Sequence, residues 1–238
     1  MNINLTYEQQ DAIFRIENKE NIFITSRGAG CGKTYLLSNI IRKYKFIKNI
    51  AITSSTGVSA VLINGQTLHS WAGIQLGKKD IHYYYNKISK NKIKLSKWKK
   101  TDILIIDEIS LISPILFDKL EKLARLLRNN QEPFGGIQLI ISGDWLQLQT
   151  VNSNNYTFEA KSWNTCIDSV VYLTKIYRQQ NPEFQEVLNL IRVGKITNKV
   201  KSLLRSRVNV ELSNIYGIEP TKLYFLNINV DELNNQSL

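Results

Sequence analysis

Two short segments of this sequence carry residue types that handle a nucleoside triphosphate. The first is a glycine-rich run at 28–34, which directly follows an apolar segment and ends in Lys33 and Thr34. Backbone N–H groups of such a run cradle phosphates at the start of a helix, while the lysine reaches the β- and γ-phosphates and the threonine hydroxyl binds Mg²⁺. The expected cofactors are therefore ATP and Mg²⁺, and the expected nucleotide contacts are Gly28, Ala29, Gly30, Cys31, Gly32, Lys33 and Thr34.

An acidic pair at the end of a second apolar run supplies the other half of this chemistry. Asp107 and Glu108 directly follow the apolar residues 103–106. We expect Asp107 to bind the same Mg²⁺ as Thr34, and Glu108 to activate the attacking water. The alternative is that the two segments are loops that share no site. Both segments, however, follow a buried-strand pattern and stand in the order that this chemistry requires.

The glycine-rich run departs from its strict pattern at one position. The pattern G-x-x-x-x-G-K-[ST] has glycine where this chain has Arg27. Glycine suits a strand exit because it tolerates positive φ and lets the backbone approach phosphate. Arg27 either points to solvent, adds positive charge beside the nucleotide or damages the turn, and the sequence leaves all three alternatives open.

The bulk composition indicates a soluble, intracellular globular protein. The 238 residues are 43% hydrophobic and 10% aromatic, and no run approaches the roughly eighteen apolar residues that a membrane span needs. The N-terminus lacks a cationic region followed by an apolar one, which disfavours a secretory signal. The two cysteines, Cys31 and Cys166, form neither a disulfide framework nor a zinc spacing. We therefore expect no membrane partner.

A lysine-rich tract at residues 78–100 carries much of the net charge of +11. It contains nine lysines against one acid, Asp80, and these are interleaved with three tyrosines and Trp98. Basic residues among aromatics suit a phosphate backbone with stacked bases. A solvated surface helix with Trp98 in the core is the alternative, and it is favoured for a lysine run taken alone. Beside a nucleotide motif, the balance moves toward nucleic acid.

Strand and helix patterns alternate along the chain, which predicts an α/β fold with a parallel sheet covered by helices on both faces. Strands are expected at 21–26, 50–53, 103–106, 137–142, 170–173 and 221–226, and helices at 5–16, 34–44, from 56, from 114 and from 182. We expect residues 1–180 to form one nucleotide-binding domain with the lysine-rich tract as an insertion. Residues 181–238 are too few for a second domain of that size and are expected to be a linker and the start of another lobe.

Several segments taken together resemble the petite-integration-frequency (PIF) family of superfamily 1B DNA helicases. These segments cover the chain almost end to end and lie at 5–10, 28–34, 53–60, 65–73, 106–110, 133–139, 143–148, 173–179 and 223–234. The resemblance implies a RecA-like P-loop NTPase fold, followed by the first strand and helix of a second RecA-like motor lobe. It also implies 5′-to-3′ movement on single-stranded DNA and action at duplex junctions.

The resemblance implies roles for three residues outside the two nucleotide segments. Gln9 matches the glutamine that reads adenine, Gln147 the glutamine that senses the γ-phosphate, and Arg178 an arginine that touches the γ-phosphate. Amide and guanidinium groups suit these tasks. Taken singly, a surface helix residue, a loop cap and a salt-bridge partner are the respective alternatives.

A further set of residues is expected to contact DNA. Thr53, Ser55 and Thr56 follow the second strand, on the sheet edge that holds the nucleotide, and short hydroxyls suit sugar-phosphate oxygens. The resemblance places His69 and Trp71 beside the DNA track, where Trp71 would stack on a base. Core packing is the alternative for Trp71, and a structural role is the alternative for His69.

The sequence departs from the family in two further places. Leu148-Gln149-Thr150 stands where the family has Leu-Pro-Pro, and the later family motifs, including a second-lobe arginine, fall beyond residue 238. The missing lobe would come from the same polypeptide or from a separate chain. The leading interpretation is an ATP-dependent DNA helicase or its N-terminal motor portion. A nucleotide- or DNA-binding module without motor activity is the alternative, and a small-molecule kinase is disfavoured because Gln147 and Arg178 would have no role.

Overall fold

The computed structural model describes residues 5–148, 155–210 and 223–224. The strands are β1 (Ile22–Ser26), β2 (Ile50–Ser54), β3 (Gln66–Thr67), β4 (Ile103–Asp107), β5 (Gln138–Ser142) and β6 (Ser169–Leu173). The helices are α1 (Tyr7–Glu17), α2 (Lys33–Tyr44), α3 (Gly57–Leu62), α4 (Leu68–Ala72), α5 (Ile81–Ser89), α6 (Lys92–Lys100), α7 (Pro114–Arg128), α8 (Trp163–Cys166), α9 (Pro182–Arg192) and α10 (Asn198–Arg205). The strand expected at 221–226 lies outside the described residues except for Leu223 and Tyr224.

The six strands form one sheet in the order β3-β2-β4-β5-β1-β6, and all the pairings are parallel. The predicted parallel α/β fold is therefore confirmed. In the registers of the central strands, Ser54 lies opposite Asp107, and Ile24 lies opposite Ser142. Because parallel strands end at the same edge of a sheet, these residues and the loops that follow them share one edge.

The central strand β4 is buried along its whole length, and its side chains alternate between two cores. Ile103 and Ile105 pack with α1 and α2, whereas Leu104 and Ile106 pack with the cluster that contains α5 to α7. Helices therefore cover both faces of the sheet, as the continuous apolar run predicts.

Cap residues explain where the helices nearest the nucleotide motifs begin. The Thr6 hydroxyl accepts the Gln9 N–H, and the Gln9 side chain accepts the Thr6 N–H, which together form a capping box for α1. Helix α2 begins directly after Gly32, whose φ of 84° belongs to the left-handed region that favours glycine. The glycine therefore lets the strand-to-helix turn place Lys33 and Thr34 in the first turn of α2.

The chain divides into two compact units, residues 1–195 and residues 196–238. The first unit holds the sheet and extends beyond residue 180, where we expected its boundary, so that it includes α9. In the second unit, the described regular element is α10, which the Thr197 hydroxyl caps. In the described part of the chain, no helix combines the length and the apolar character needed to cross a membrane.

Candidate functional site

The glycine-rich run forms a tight loop that brings two distant segments together. Gly30 has a φ of 81°, and a Cβ atom placed on it would lie 2.3 Å from the Cβ of Arg178. The Gly30 carbonyl also accepts a hydrogen bond of 2.9 Å from the backbone N–H of Tyr177. A side chain at position 30 is therefore excluded by both backbone conformation and space. This close approach places Arg178, expected at the γ-phosphate, directly against the loop.

Arg27 does not disturb this loop. It is exposed, and it is not among the described residues with positive φ. Its backbone N–H donates to the Leu173 carbonyl at 3.0 Å, and its carbonyl accepts from Arg192. The backbone at position 27 therefore has an ordinary conformation that does not require glycine, and of the three alternatives the damaged turn is excluded.

Lys33 lies within the loop that it is expected to serve. Its Nζ donates to the Ser26 hydroxyl at 2.9 Å, and that hydroxyl donates in turn to the Gly28 carbonyl at 2.8 Å. Ser26 ends β1 and is fully buried. The ammonium group is thus held on the inner side of the phosphate loop, where a negatively charged ligand would meet it.

The acidic pair lies at the end of β4, beside the end of β5. Asp107 is only 4% exposed, and its Oδ1 accepts hydrogen bonds from the Ser142 hydroxyl at 2.5 Å and the Glu108 N–H at 3.0 Å. These two donors fix the carboxylate in one orientation. Glu108 adopts the left-handed conformation (φ 54°, ψ 47°), which turns the chain sharply after the strand.

The carboxyl group of Glu108 lies in an environment that disfavours its charged form. Partial burial is the largest cause and raises its pKa above the ordinary value, and the negative charges of Asp107 and Asp144 raise it further. The Lys33 ammonium acts in the opposite direction. A glutamate with a raised pKa is a stronger base than an ordinary one, which suits a group that accepts a proton from water.

Gln9 contacts the same loop from the side of α1. It is 2% exposed, and its Nε2 lies 3.1 Å from the position that a Cβ on Gly32 would occupy. The alternative that Gln9 is a surface helix residue does not agree with this burial. The site thus gathers Gln9 from α1, the loop before α2, and Arg178 from beyond β6.

Gln9 precedes the phosphate loop in the sequence, whereas Gln147 follows it, shortly after β5. The Gln147 side chain is exposed. Its Nε2 donates to Oδ2 of the buried Asp144 at 3.1 Å. Gln147 also lines a cavity of about 230 Å³ together with Gly28, Ala29 and residues of α9. The structure therefore brings Gln147 to the same cavity as the phosphate loop.

Three hydroxyl residues at the end of β2 differ in what they offer to a ligand. Thr53 is fully buried and its hydroxyl donates to the Ile105 carbonyl at 2.6 Å, so its expected contact with DNA is wrong in this structure. The strand pairs Thr53 with β4 and turns its side chain inward. Ser55 donates to the Glu108 carbonyl at 2.6 Å, and Thr56 caps α3 by accepting the Ser59 N–H. Ser55 thus links the segment expected to contact DNA to the backbone of Glu108.

Trp71 is a second correction. It is 3% exposed, and its ring centroid lies 4.4 Å from that of Trp98, which is fully buried. The indole N–H of Trp98 donates to the Ala72 carbonyl at 3.2 Å. Trp71 therefore has no free ring face on which a base would stack, and core packing, the alternative, is its role. His69 is half-buried, and this burial lowers the pKa of its imidazole.

An open groove runs from the acidic pair toward α3. Its volume is about 660 Å³, and it is lined by Thr56, Val58, Ser59, Leu62, Glu108, Leu111, Leu146, Gln147 and Leu148. Val58 and Leu62 are strongly exposed there. The groove joins Glu108 and Gln147 to Thr56, which is expected to contact DNA.

Four residues of the site escaped the sequence reasoning, namely Ser26, Ser142, Asp144 and Arg192. Two of them are serines at the ends of β1 and β5, and a hydroxyl at the carboxyl end of a strand was a usable signal. Asp144 stands in a segment that was recognised but received no role. Arg192 lies on α9, far along the chain from its partners, and no local pattern marks it.

A comparison with known proteins gives the family of this chain. The family model described as PIF1-like helicase matches residues 4–202. Uncharacterized protein 030L of Invertebrate iridescent virus 6 is 44% identical over an alignment that covers 100% of this chain and 48% of the viral protein. The ATP-dependent DNA helicase RRM3 of Saccharomyces cerevisiae is 42% identical, over 92% of this chain and 32% of the yeast protein. This chain spans half or less of the length of these curated relatives.

Two solved structures share the fold. The Pif1 helicase from Candida albicans superposes with a TM-score of 0.93 at 36% identity, over 99% of this chain and 54% of that one. A Pif1 helicase from Bacteroides in complex with ADP-AlF3 and ssDNA gives a TM-score of 0.86 at 31% identity, over 100% of this chain and 57% of that one. With the matched family model and the geometry above, these similarities show that the chain belongs to the PIF1-like helicase family.

Proposed function

We propose that this chain is the nucleotide-binding motor portion of an ATP-dependent DNA helicase, which couples ATP hydrolysis to movement on single-stranded DNA. The observation that carries the proposal is the convergence of Lys33, Glu108, Gln9 and Arg178 around one glycine-rich loop at the carboxyl edge of the sheet. Family membership supports the same reaction class.

The nucleotide would lie along the phosphate loop with its purine toward Gln9. The amide of Gln9 offers both a donor and an acceptor to a purine edge. The phosphates would accept backbone N–H groups of residues 28–32, and Lys33 would exchange its contact with Ser26 for a phosphate oxygen. Gly30 and Gly32 are required here because their backbone conformation has positive φ.

The donor set beside the phosphates fits Mg²⁺. Thr34 is exposed in the first turn of α2, and Asp107 is held by Ser142 at the end of β4. The described residues contain no group of three or more His, Cys, Asp or Glu side chains that would hold a metal by themselves. A hydroxyl and a carboxylate that complete a shell of phosphate oxygens and waters are the arrangement that Mg²⁺ favours. When bound, Mg²⁺ would neutralise charge on the β- and γ-phosphates.

Hydrolysis would rest on Glu108, Gln147 and Arg178. Glu108 would accept the proton of the attacking water, since its raised pKa keeps it a competent base near neutral pH. Arg178 would place a fixed guanidinium fork at the γ-phosphate as charge develops there. Gln147 would sense whether that phosphate is present.

Single-stranded DNA would cross the loops at the same edge of the sheet. Ser55, Thr56 and His69 remain the proposed DNA contacts, and the groove from Glu108 to α3 gives the strand a path that reaches the catalytic site. The Bacteroides relative was solved with ssDNA, which supports this choice of partner. Action at duplex junctions and 5′-to-3′ polarity are proposed on family membership alone.

DNA-dependent ATP hydrolysis tests the proposal. A polypeptide of these 238 residues should hydrolyse Mg²⁺·ATP slowly, and single-stranded DNA should raise the rate. Glu108→Gln keeps the shape of the side chain but removes the base, so it should retain nucleotide affinity and lose hydrolysis. If neither single-stranded DNA nor Glu108→Gln changed the rate, the chain would be a binding module without motor chemistry.

A further inference from the structure

Arg192, the last residue of α9, joins three parts of the candidate site that are far apart in the sequence. Its guanidinium donates to the Arg27 carbonyl at 2.5 Å and to the Ser26 carbonyl at 3.2 Å. It also forms an ion pair with Asp144. One side chain thus contacts the backbone that enters the phosphate loop and the carboxylate that precedes Gln147.

Asp144 has little access to solvent and depends on this partner. Its side chain is 1% exposed, whereas that of Arg192 is 19% exposed. A buried carboxylate without a compensating partner is strongly disfavoured, so the ion pair with Arg192 stabilises Asp144 in the folded chain. A lysine would supply charge but not the planar fork that reaches all three acceptors.

Asp144 in turn orients Gln147. Its Oδ1 accepts the Leu146 N–H at 3.1 Å as well as the arginine, and its Oδ2 accepts the Gln147 amide at 3.1 Å. The backbone N–H of Gln147 donates to the Asp144 carbonyl, also at 3.1 Å. The position of the Gln147 side chain is therefore set by the carboxylate that Arg192 fixes.

We propose that Arg192 is a positioning residue for γ-phosphate recognition, which acts through Asp144 on Gln147. By the same contacts, the state of the γ-phosphate is transmitted to α9, the last helix of the unit that contains the sheet. This inference rests on the proposed function, because it needs a nucleotide at the phosphate loop. Neither Arg192 nor Asp144 is expected to touch the nucleotide.

Calorimetric titration of the 238-residue chain with Mg²⁺·ADP and with the non-hydrolysable Mg²⁺·β,γ-imido-ATP tests the proposal. The unsubstituted chain should prefer the imido analogue. In Arg192→Gln, analogue affinity should fall by about fivefold, the worth of one hydrogen bond, and ADP affinity should stay the same. Gln147→Ala should show the same pattern, and the double variant should lose no more than the larger single effect because both act through one contact.

Arg125→Gln is the matched control. Arg125 is also an arginine paired with a buried carboxylate, Glu121, and it donates to the Gln131 carbonyl at 2.6 Å, but it lies on α7 and makes these hydrogen bonds away from the residues described for the site. It should lower thermal stability without changing the preference for the imido analogue. If Arg192→Gln fails to fold, Arg192→Lys is measured instead, with the same expected loss.

Three results would overturn the inference. The first is equal analogue affinity in the unsubstituted chain and in the Arg192 variant. The second is an additive loss in the double variant. The third is an unsubstituted chain that binds both nucleotides without preference. Failure to bind either nucleotide would instead refute the proposed function itself.

Discussion

Glu108 shows how the fold prepares a single residue for chemistry. Its left-handed backbone costs a non-glycine residue on the order of 1–3 kcal/mol, and such conformations persist only where the surroundings fix them. Ser55, which directly follows β2, donates to the Glu108 carbonyl, and Asp107 accepts the Glu108 N–H. The strained conformation thus places the carboxyl group beside Lys33 and away from full solvent.

The raised pKa of Glu108 predicts a pH dependence. The base must be ionised, so ATP hydrolysis should fall as pH is lowered through a value above the roughly 4.3 of an ordinary glutamate. The sign for stability is opposite to that of a salt-bridged carboxylate. The folded state binds this proton more tightly, so the contribution of Glu108 to folding is greatest at low pH and is lost as pH rises through the raised pKa.

A pH–rate profile under saturating nucleotide checks this prediction, and the pH dependence of the Glu108→Gln melting temperature serves as its control. The variant should lack the component of the stability profile that belongs to this carboxyl group. An acid limb at the ordinary glutamate value would contradict a raised pKa of Glu108 in the nucleotide-bound chain.

At the scale of residues, the sequence predicted types and spacing better than side-chain direction. Lys33, Asp107 and Gln9 lie beside the glycine-rich loop and the carboxyl edge of the sheet as expected, because the turn and cap that position them are local, and their roles stay predictions. Thr53 was placed at the correct strand end, but the sequence does not say that its hydroxyl turns to the Ile105 carbonyl. Arg192 was missed because its partners lie at Ser26 and Asp144, which only the folded sheet brings close.

The lysine-rich tract has one buried face and one exposed face. It forms α5 and α6, which bury Tyr84, Ile88 and Trp98 and leave most of the lysines in solvent. The alternative of a surface helix with Trp98 in the core thus describes the structure of the tract. Its exposed charge remains available to a polyanion, because burial of one face leaves the other free.

Removal of the Trp98 ring should cost about 3–5 kcal/mol of unfolding free energy, as expected for a large buried side chain. Trp98→Ala, measured by denaturant unfolding, should leave nucleotide affinity unchanged wherever the variant is folded. Lys99→Ala is the neighbouring surface control and should have almost no effect. A small loss for Trp98→Ala would contradict the core packing of the Trp71–Trp98 pair.

Three lysines of α6 are predicted to contact a nucleic-acid backbone. Lys92, Lys97 and Lys100 line a groove of about 590 Å³ beside β2, and all three are exposed. Their joint substitution by glutamine should flatten the slope of log affinity against log salt for single-stranded DNA by up to roughly 0.7 per lost contact. The binding should be largely independent of sequence, since lysine reads phosphate and not bases.

The matched control for these lysines is the triple variant of Lys19, Lys45 and Lys48, which follow α1 and α2 on the other side of the sheet and are exposed. It removes the same charge, but from a surface that is not expected to meet DNA. It should therefore change the slope by much less. Equal slopes in both triple variants would show that the α6 lysines are ordinary solvated residues with no special contact to DNA.

Element prediction succeeded where the apolar pattern was continuous. The strand expected at 103–106 is β4, and Pro114 begins α7 as expected, with Leu120, Leu123 and Leu127 buried. The short β3 and α4 were not predicted as elements, because two or five residues carry too little periodicity. Strand β3 is stabilised by its pairing with β2, and α4 is stabilised by packing against the core.

The chain spans about half of the length of the solved Pif1 helicases that it matches. Related phosphoryl-transfer enzymes gain about 10³–10⁵ in rate from an arginine that closes on the γ-phosphate. Arg178 lies against the phosphate loop, and the resemblance implies a further arginine from a second motor lobe.

We therefore predict that a polypeptide of these 238 residues does not separate a duplex by itself. The polypeptide should bind ATP and single-stranded DNA and hydrolyse ATP slowly, and addition of the remaining motor portion, in the same chain or as a second one, should make the DNA-stimulated turnover much faster. A strand-displacement assay on a 5′-tailed duplex measures this. Robust unwinding by the polypeptide alone would show that another copy completes the site, which sedimentation would then reveal.

The central claim, that the loop at residues 28–34 binds the phosphates of ATP, is tested most directly by nucleotide titration of the unsubstituted chain and of Lys33→Ala. Lys33 supplies the point charge at the β- and γ-phosphates, and its present partner is the Ser26 hydroxyl. We predict that the unsubstituted chain binds Mg²⁺·ATP and that Lys33→Ala weakens the affinity at least tenfold, which corresponds to about 1.4 kcal/mol, while its thermal stability without nucleotide changes little. An unchanged affinity in a folded Lys33→Ala variant would contradict the account.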